Sequence, residues 1–241
     1  YYPAQWTSVP TAYIGFVGRL TYDYKSKYIG EIDFGYNGSE NFAPGNRFGA
    51  FPAASIGYVL SEESVMKQQK IVDFLKLRAS VGLGGNDNMS NNRFLYLADN
   101  YDVDLFSGNY DLSADWAFPL HGYYFGFNNN NKIKGALENR IGNANVTWEK
   151  ALKSNFGIDV NFLNNRLRIS TDVFFENRKD ILIQRNTIPV FTSLDKRLLQ
   201  AVNMGKVKNK GYEVPVKSND RLRAVDYWVN ANVSYSKNKI I

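Results

Sequence analysis

The chain has 241 residues, 15% of them aromatic with 16 Tyr and 16 Phe, a mean hydropathy of -0.37 and a formal net charge of +6. The absence of cysteine excludes disulfide frameworks and thiolate metal sites. The absence of any run of about 18 apolar residues excludes a transmembrane helix, though not a membrane barrel, whose alternating strands average out as polar. Lys and Arg are scattered rather than gathered in a basic stripe, so nucleic acid is not an expected partner.

Residues 1–10 are rich in Pro and aromatics and read as a loop. From Thr11 an alternation sets Ala12, Ile14, Phe16, Leu20, Tyr22 and Tyr24 against Tyr13, Val17, Arg19, Thr21 and Asp23. After the turn Lys25-Ser26-Lys27, the return strand sets Tyr28, Ile32, Phe34 and Tyr36 against Glu31, Asp33 and Asn37. A period of two predicts strands with one apolar and one polar face. Tyr22, Tyr24 and Tyr28 gather at the turn, as aromatic rings do at a membrane–water interface. Residues 38–46 read as a polar loop. A third strand is predicted over 47–61, weakened at its start by Pro52, and then a longer turn over 61–73 with one helical turn. The fourth strand sets Leu75, Leu77, Ala79, Val81 and Leu83 against Lys76, Arg78, Ser80, Gly82 and Gly84.

Residues 85–144 break the pattern. They are dense in Asn, Asp, Gly, Tyr and Phe, and only residues 93–98 suggest a strand. An irregular segment this long inside a domain is usually functional. Residues 145–182 then form the clearest hairpin. Phe156, Ile158 and Val160 alternate with Asn155, Gly157 and Asp159; Ile169, Thr171, Val173 and Phe175 alternate with Arg168, Ser170, Asp172 and Phe174. Asn164 and Asn165 suit the left-handed backbone of a tight turn. A second loop, 184–202, leads to a seventh strand over 203–217, and a turn over 218–224 leads to an eighth over 227–236.

The reading is eight long strands in four hairpins, with short turns at one end and long loops at the other. A strand of about 11 residues spans roughly 36 Å, and at a tilt of about 45° it crosses an apolar band of roughly 25 Å. The fold class expected is all-β, a transmembrane antiparallel β-barrel seen here as a part. The alternative is a secreted or surface β-sandwich that binds carbohydrate, whose strands are usually about half as long.

Five segments, in order, carry a family resemblance: Gly18-Arg19-Leu20-Thr21-Tyr22 with Lys27-Tyr28; Phe51-Pro52-Ala53-Ala54-Ser55-Ile56-Gly57-Tyr58 with Leu60-Ser61-Glu62-Glu63; Leu75-Lys76-Leu77-Arg78 with Gly85-Asn86; Thr147-Trp148-Glu149-Lys150 with Asn155, Gly157 and Asp159; and Asn209-Lys210-Gly211-Tyr212-Glu213. Together they resemble the C-terminal barrel of SusC/RagA-type TonB-dependent transporters, outer-membrane proteins of Bacteroidetes-type bacteria. The resemblance implies a plugged barrel of roughly 22 strands, driven through the TonB complex and lidded by a SusD-like lipoprotein that captures oligosaccharide or peptide. The sequence carries no plug or TonB-interacting segment, shows no leader pattern at Tyr1 and ends at Ile240-Ile241 without an aromatic strand end. Residues 1–241 are therefore expected to be part of a single barrel domain within a longer chain.

In the long loop, Trp116, Tyr123 and Tyr124 could stack on sugar or peptide groups, with Asp111 and Asp115 accepting hydrogen bonds; the competing reading packs them on the loop itself or on the lid. Asp99, Asp102 and Asp104 could offer oxygens to calcium, but their spacing lacks an EF-hand pattern, so no metal or other cofactor is expected. His121 is the only histidine and no nucleophile elbow accompanies it, so no catalytic residues and no enzyme activity are expected. The run Asn128–Asn131 reads as a loop tip. Arg19, Glu31, Asp33, Arg78, Asp159, Arg168 and Asp172 read as a charged network on the lumenal wall rather than a substrate track. Phe156, Ile158, Val173 and Val229 are expected to meet lipid.

Overall fold

The computed structural model describes residues 12–69, 71–89, 93–98, 101–102, 123–125, 131–133, 137–138, 141–184, 199–222 and 224–241. In chain order the strands are β1 (Tyr13–Tyr24), β2 (Tyr28–Ser39), β3 (Phe48–Val59), β4 (Val72–Asn86), the short β5 (Tyr101–Asp102), β6 (Tyr123–Phe125), β7 (Asn131–Ile133) and β8 (Leu137–Glu138), then β9 (Glu149–Phe162), β10 (Leu167–Gln184), β11 (Ala201–Leu222) and β12 (Val225–Ile240). The eight long strands form one antiparallel sheet in the order β1-β2-β3-β4-β9-β10-β11-β12, while β5 pairs with β8 and β6 with β7. A single meandering sheet, open at β1 and β12, is the expected stretch of barrel wall. A sandwich would need a second sheet packed on the first.

Three sequence readings need correction. Residues 93–98 are not a strand: Phe94 has φ 52°, and the Leu97 N–H donates to the Phe94 carbonyl at 2.9 Å. Consecutive Phe94 and Leu95 are both buried, which a strand with one apolar face does not allow. The seventh strand is longer than 203–217, running over Ala201–Leu222, because the polar run from Ser218 to Arg221 reads as a turn yet stays paired with β12. The run Asn128–Asn131 is not all loop tip, since Asn131 begins β7. The helical turn expected over 61–73 is present as two 3-10 turns, Leu60–Glu62 and Met66–Gln68. Pro52 is accommodated within β3. The Val59 N–H points to the β2 side, bonding the Lys27 carbonyl, so by alternation the Pro52 nitrogen faces β4. There the β3–β4 ladder has just ended, at Ala53 opposite Gly82, and no donor is needed.

The tight turns lie at one end of the sheet. Lys25 and Ser26 both have positive φ, and the Lys27 N–H closes on the Tyr24 carbonyl at 3.1 Å. Asn164 and Asn165 do the same between Leu163 and Arg166, with Leu163 itself also at positive φ. Two successive positive-φ residues give the turn whose twist matches that of the flanking strands.

Cross-strand register fixes two faces. The row Tyr28, Tyr58, Leu77, Ile158, Thr171 lies on the apolar face, and Ile56 and Phe156 there are 69% and 57% exposed. Apolar side chains this exposed at the middle of a sheet have no protein cover. Tyrosines bound this band at both ends: eight residues separate Tyr28 from Tyr36 on β2, and eight separate Tyr227 from Tyr235 on β12. Each interval is about 26 Å along the strand, or roughly 20 Å of depth at the tilt of a membrane barrel.

The tilt itself can be read from the register. The row from Tyr28 continues through Val214 to Val233, six residues beyond Tyr227. Six residues, about 20 Å, over six strand steps, about 29 Å, give a tilt of about 35°, within the range of membrane barrels.

The girdle at the turn end has its own anchor. Tyr28 and Tyr58 stack at 5.0 Å, Tyr58 Oη donates to Glu63 Oε1, and Lys27 Nζ pairs with the same oxygen at 2.6 Å. The hydrogen bond from Lys27, then that from Tyr58, hold the Glu63 carboxyl below its ordinary range, and Glu63 raises the Lys27 ammonium. This contribution to stability is fully present above the ordinary carboxylate range, is lost in acid as pH falls through the lowered Glu63 value, and is lost in alkali as pH rises through the raised Lys27 value. In thermal unfolding of the detergent-solubilised barrel, Glu63→Gln should melt below the parent at neutral pH, with the gap closing on acidification. A gap independent of pH would show that the Glu63 charge is not what anchors the girdle.

Candidate functional site

The polar face carries the chemistry, and it is organised by glycines set opposite large side chains. Arg78 on β4, Gly157 on β9 and Asp172 on β10 are register partners in one row. With no side chain at the centre, Arg78 and Asp172 meet over the gap, Nη2 to Oδ2 at 3.0 Å. A Cβ on Gly157 would lie 2.7 Å from Arg78 Cζ and 2.8 Å from Asp172 Oδ1. Arg78 Nε also pairs with Asp159 Oδ2 at 2.7 Å, Ser170 Oγ donates to Asp159 Oδ1, and Asn155 Nδ2 donates to Asp172 Oδ1 at 3.1 Å. One guanidinium thus joins three strands through two half-buried carboxylates.

The second seat is Gly211 on β11. Phe174 of β10 lies over it, so that a Cβ there would sit 2.6 Å from the ring and 2.2 Å from the Tyr235 carbonyl oxygen. Toward β2 the face becomes acidic, where Arg19 pairs with Asp33 at 2.7 Å and approaches Glu31 at 3.7 Å. Between these groups the small residues Ala53, Ser55, Ser80 and Gly82 floor a hollow of about 480 Å³, walled by Glu31 and Asp33 on one side and by Lys153 and Phe174 on the other. Arg168 stands apart from both clusters, its Nε donating to the Asn165 carbonyl at 3.4 Å.

At the loop end the sheet closes onto a small core of Phe42, Met89, Leu95, Val146 and Trp148, with Phe51, Leu182 and Ala201 against it. Phe51 fills the split between β3 and β4, its ring taking the space that a Gly85 side chain would need. Trp148 Nε1 donates to the Arg47 carbonyl at 3.1 Å. Side-chain amides tie the loops together. Asn203 on β11 accepts from the Thr147 N–H at 2.9 Å, donates to the Thr147 carbonyl at 2.8 Å, and donates to the Asp180 carbonyl at 2.7 Å. It does so where the β10–β11 register shifts twice, next to Asp180 at φ 59°. Asn143 and Gln200 add bonds to the Ala201 and Gly142 carbonyls, each at 2.8 Å.

The structure therefore assembles Arg78, Asp159 and Asp172 as one network and Arg19, Glu31 and Asp33 as another. Sequence reasoning missed Asn155, Ser170 and Phe174, and the two glycine seats; a glycine on the polar face is visible in the sequence, but the residue above it appears only once register is known. Among the loop candidates, Tyr123 and Tyr124 lie in β6, opposite Ile133 and Lys132. Trp116, Asp111, Asp115 and His121 lie outside the described residues, as do Asp99 and Asp104, while Asp102 lies in β5. Among the described residues, no group of three or more His, Asp or Glu could hold a metal ion.

Residues 5–240 match the family model described as TonB dependent receptor-like, beta-barrel. The chain is 28% identical over 224 residues to TonB-dependent receptor P39 of Formosa agariphila, covering 92% of this chain and 19% of that protein. It is 27% identical over 228 residues to TonB-dependent receptor SusC of Bacteroides thetaiotaomicron, covering 94% of this chain and 20% of that one. The chain thus spans about a fifth of the length of these relatives. Among solved structures, the RagAB peptide importer in its open-open state superposes with a TM-score of 0.74 at 21% identity, over 95% of this chain and 22% of that one; its closed-closed state gives 0.72. This likeness establishes the fold.

The two glycine seats yield a graded expectation. Gly157→Val should destabilise the barrel by about 1–3 kcal/mol, the usual cost of overpacking, because Arg78 must leave its place. Gly211→Ala should cost more than Gly157→Ala, because a backbone oxygen cannot rotate aside as a guanidinium can. Urea-induced unfolding of the folded barrel in lipid vesicles, followed by tryptophan emission, measures both; equal midpoints for the two alanine variants would refute the seating.

Proposed function

The chain belongs to the TonB dependent receptor-like β-barrel family, and on that premise we propose that it is part of the wall of an outer-membrane transporter. The transporter imports an oligomeric nutrient, glycan or peptide, using energy delivered by the TonB complex. The observation that carries this reading is the uncovered apolar band between two tyrosine girdles, backed by a charged inner face. In a bilayer, Phe156, Ile158, Val173 and Val229 lie against lipid while Arg78, Asp159 and Asp172 face a wet lumen. Residues 1–241 belong to a single barrel domain, with a plug and further strands supplied by the rest of a longer protein of a Gram-negative bacterium.

The partners proposed are a SusD-like surface lipoprotein over the loop end and the TonB complex reached through the plug side. The names of the relatives support them, since one is called SusC and the solved structures are of a RagAB peptide importer. Substrate contact falls to the long loop after β4, with Trp116, Tyr123 and Tyr124 stacking and Asp111 and Asp115 accepting hydrogen bonds. The reading needs no cofactor and no catalytic residue: the wall conducts, and the chemistry is that of a conduit.

Single cysteines test the wall. At Phe156, Ile158, Val173 and Val229 they should react with a lipid-soluble maleimide and not with a water-soluble one, whereas a cysteine at Ser170 should show the reverse. Shielding of the first set from both reagents would place them in a protein core and end the transporter reading. An arginine at Phe156 should cost about 2–4 kcal/mol of folding stability in vesicles. Loss of uptake of a labelled oligosaccharide or oligopeptide in cells carrying alanine at Trp116, Tyr123 and Tyr124, with the receptor still inserted, would assign the loop.

A further inference from the structure

The outward face changes character along β11 and β12. From the turn end, β12 presents Val229, Ala231, Val233 and Tyr235 and then Lys237 and Lys239; β11 presents Val216, Val214 and Tyr212 and then Lys210, Lys208 and Lys206. Lys210 is the register partner of Lys237, and Lys208 of Lys239. Like charges directly opposite one another on adjacent strands destabilise a sheet, yet here two such pairs are stacked. Among the described residues, none of these five lysines has an ion-pair partner. With Phe175 and Asn177 of β10, four of them line a hollow of about 330 Å³. Tyr212 and Tyr235 stack at 5.9 Å just below and mark the edge of the apolar band. Lys208 is four residues past Tyr212, about 13 Å along the strand, which at a tilt of about 35° puts it roughly 10 Å above the girdle. That is the depth of headgroups, not of hydrocarbon.

We propose that this lysine patch is a binding site for the phosphate headgroup of an anionic lipid in the leaflet on the loop side. The inference rests on the membrane reading above. Phosphates would neutralise the paired ammonium groups, and the acyl chains would continue down the Tyr–Val stripe of the same two strands. Ammonium clusters at a membrane surface each add to the attraction for anionic lipid, and the contributions accumulate. The opposite end of these strands offers no comparable patch, since Ser218 and Asp220 of β11 and Val225, Tyr227 and Val229 of β12 occupy the outward positions there, Asp220 pairing with Arg166.

The test uses the full-length receptor, purified in neutral detergent and titrated with phosphorylated lipid A, with the same lipid after phosphatase treatment, and with inorganic phosphate, read by native mass spectrometry. Phosphorylated lipid A should be retained. Its affinity should fall at least tenfold in the Lys208→Gln/Lys210→Gln/Lys237→Gln/Lys239→Gln variant and should recover in the corresponding four-arginine variant. Equal retention of the dephosphorylated lipid, or binding of inorganic phosphate as tight as that of the lipid, would overturn the proposal, as would no change in the glutamine variant. Carbonate-resistant sedimentation and heat-modifiable gel mobility report insertion and folding separately. A receptor that never inserts would therefore bring down the membrane reading, whereas an inserted receptor indifferent to the four lysines brings down only the lipid site.

Discussion

The constraint on which this structure depends is that a backbone crossing hydrocarbon must satisfy its hydrogen bonds within the protein. The long antiparallel ladders do this, and in doing so they fix the register of every side chain. Because the side-chain period is two, a slip of one residue would carry Phe156 into the lumen and Gly157 into lipid. The apolar band, the tyrosine girdles, the ion-pair network and the lysine patch all follow from one register. The tilt of about 35° is itself a property of that register rather than of any single contact.

On the inner face the same register is used differently. Arg78 and Phe174 each reach across a neighbouring strand because the residue opposite has no side chain. A guanidinium held by Asp159 and Asp172 and a ring held over Gly211 tie β4, β9, β10 and β11 laterally, perpendicular to the ladders. Such cross-ties suit a wall with a wet lumen, where no apolar core packs behind the strands.

Much of this was legible in the sequence. The strands could be found because lipid and lumen impose opposite polarity on successive residues, as Phe156, Gly157 and Ile158 illustrate, and the turns because Asn164-Asn165 carries its own backbone preference. Legibility failed where that rule lapses. At the turn end of β11, Ser218, Asn219, Asp220 and Arg221 are all polar, so they resemble a turn although they continue a strand. The loop over 38–46 reads as polar, yet Phe42 is buried at its centre, because its neighbours Trp148 and Val146 arrive from more than 100 residues away. The site network was half visible: charges announce themselves, but their partners across three strands do not.

Asn203 gives the rim a distinct mechanical status. Its amide takes the role a backbone ladder would play, bonding both the N–H and the carbonyl of Thr147 where the strands fall out of step. A ladder opens cooperatively, strand by strand; an amide clasp opens one side chain at a time. The clasp sits beside the small core of Phe42, Val146 and Trp148, so the rim is pinned to the wall by apolar packing as well as by polar bonds. The Thr147 backbone can thus exchange through release of the Asn203 amide alone, whereas the neighbouring Trp148 stays fixed by the core around it.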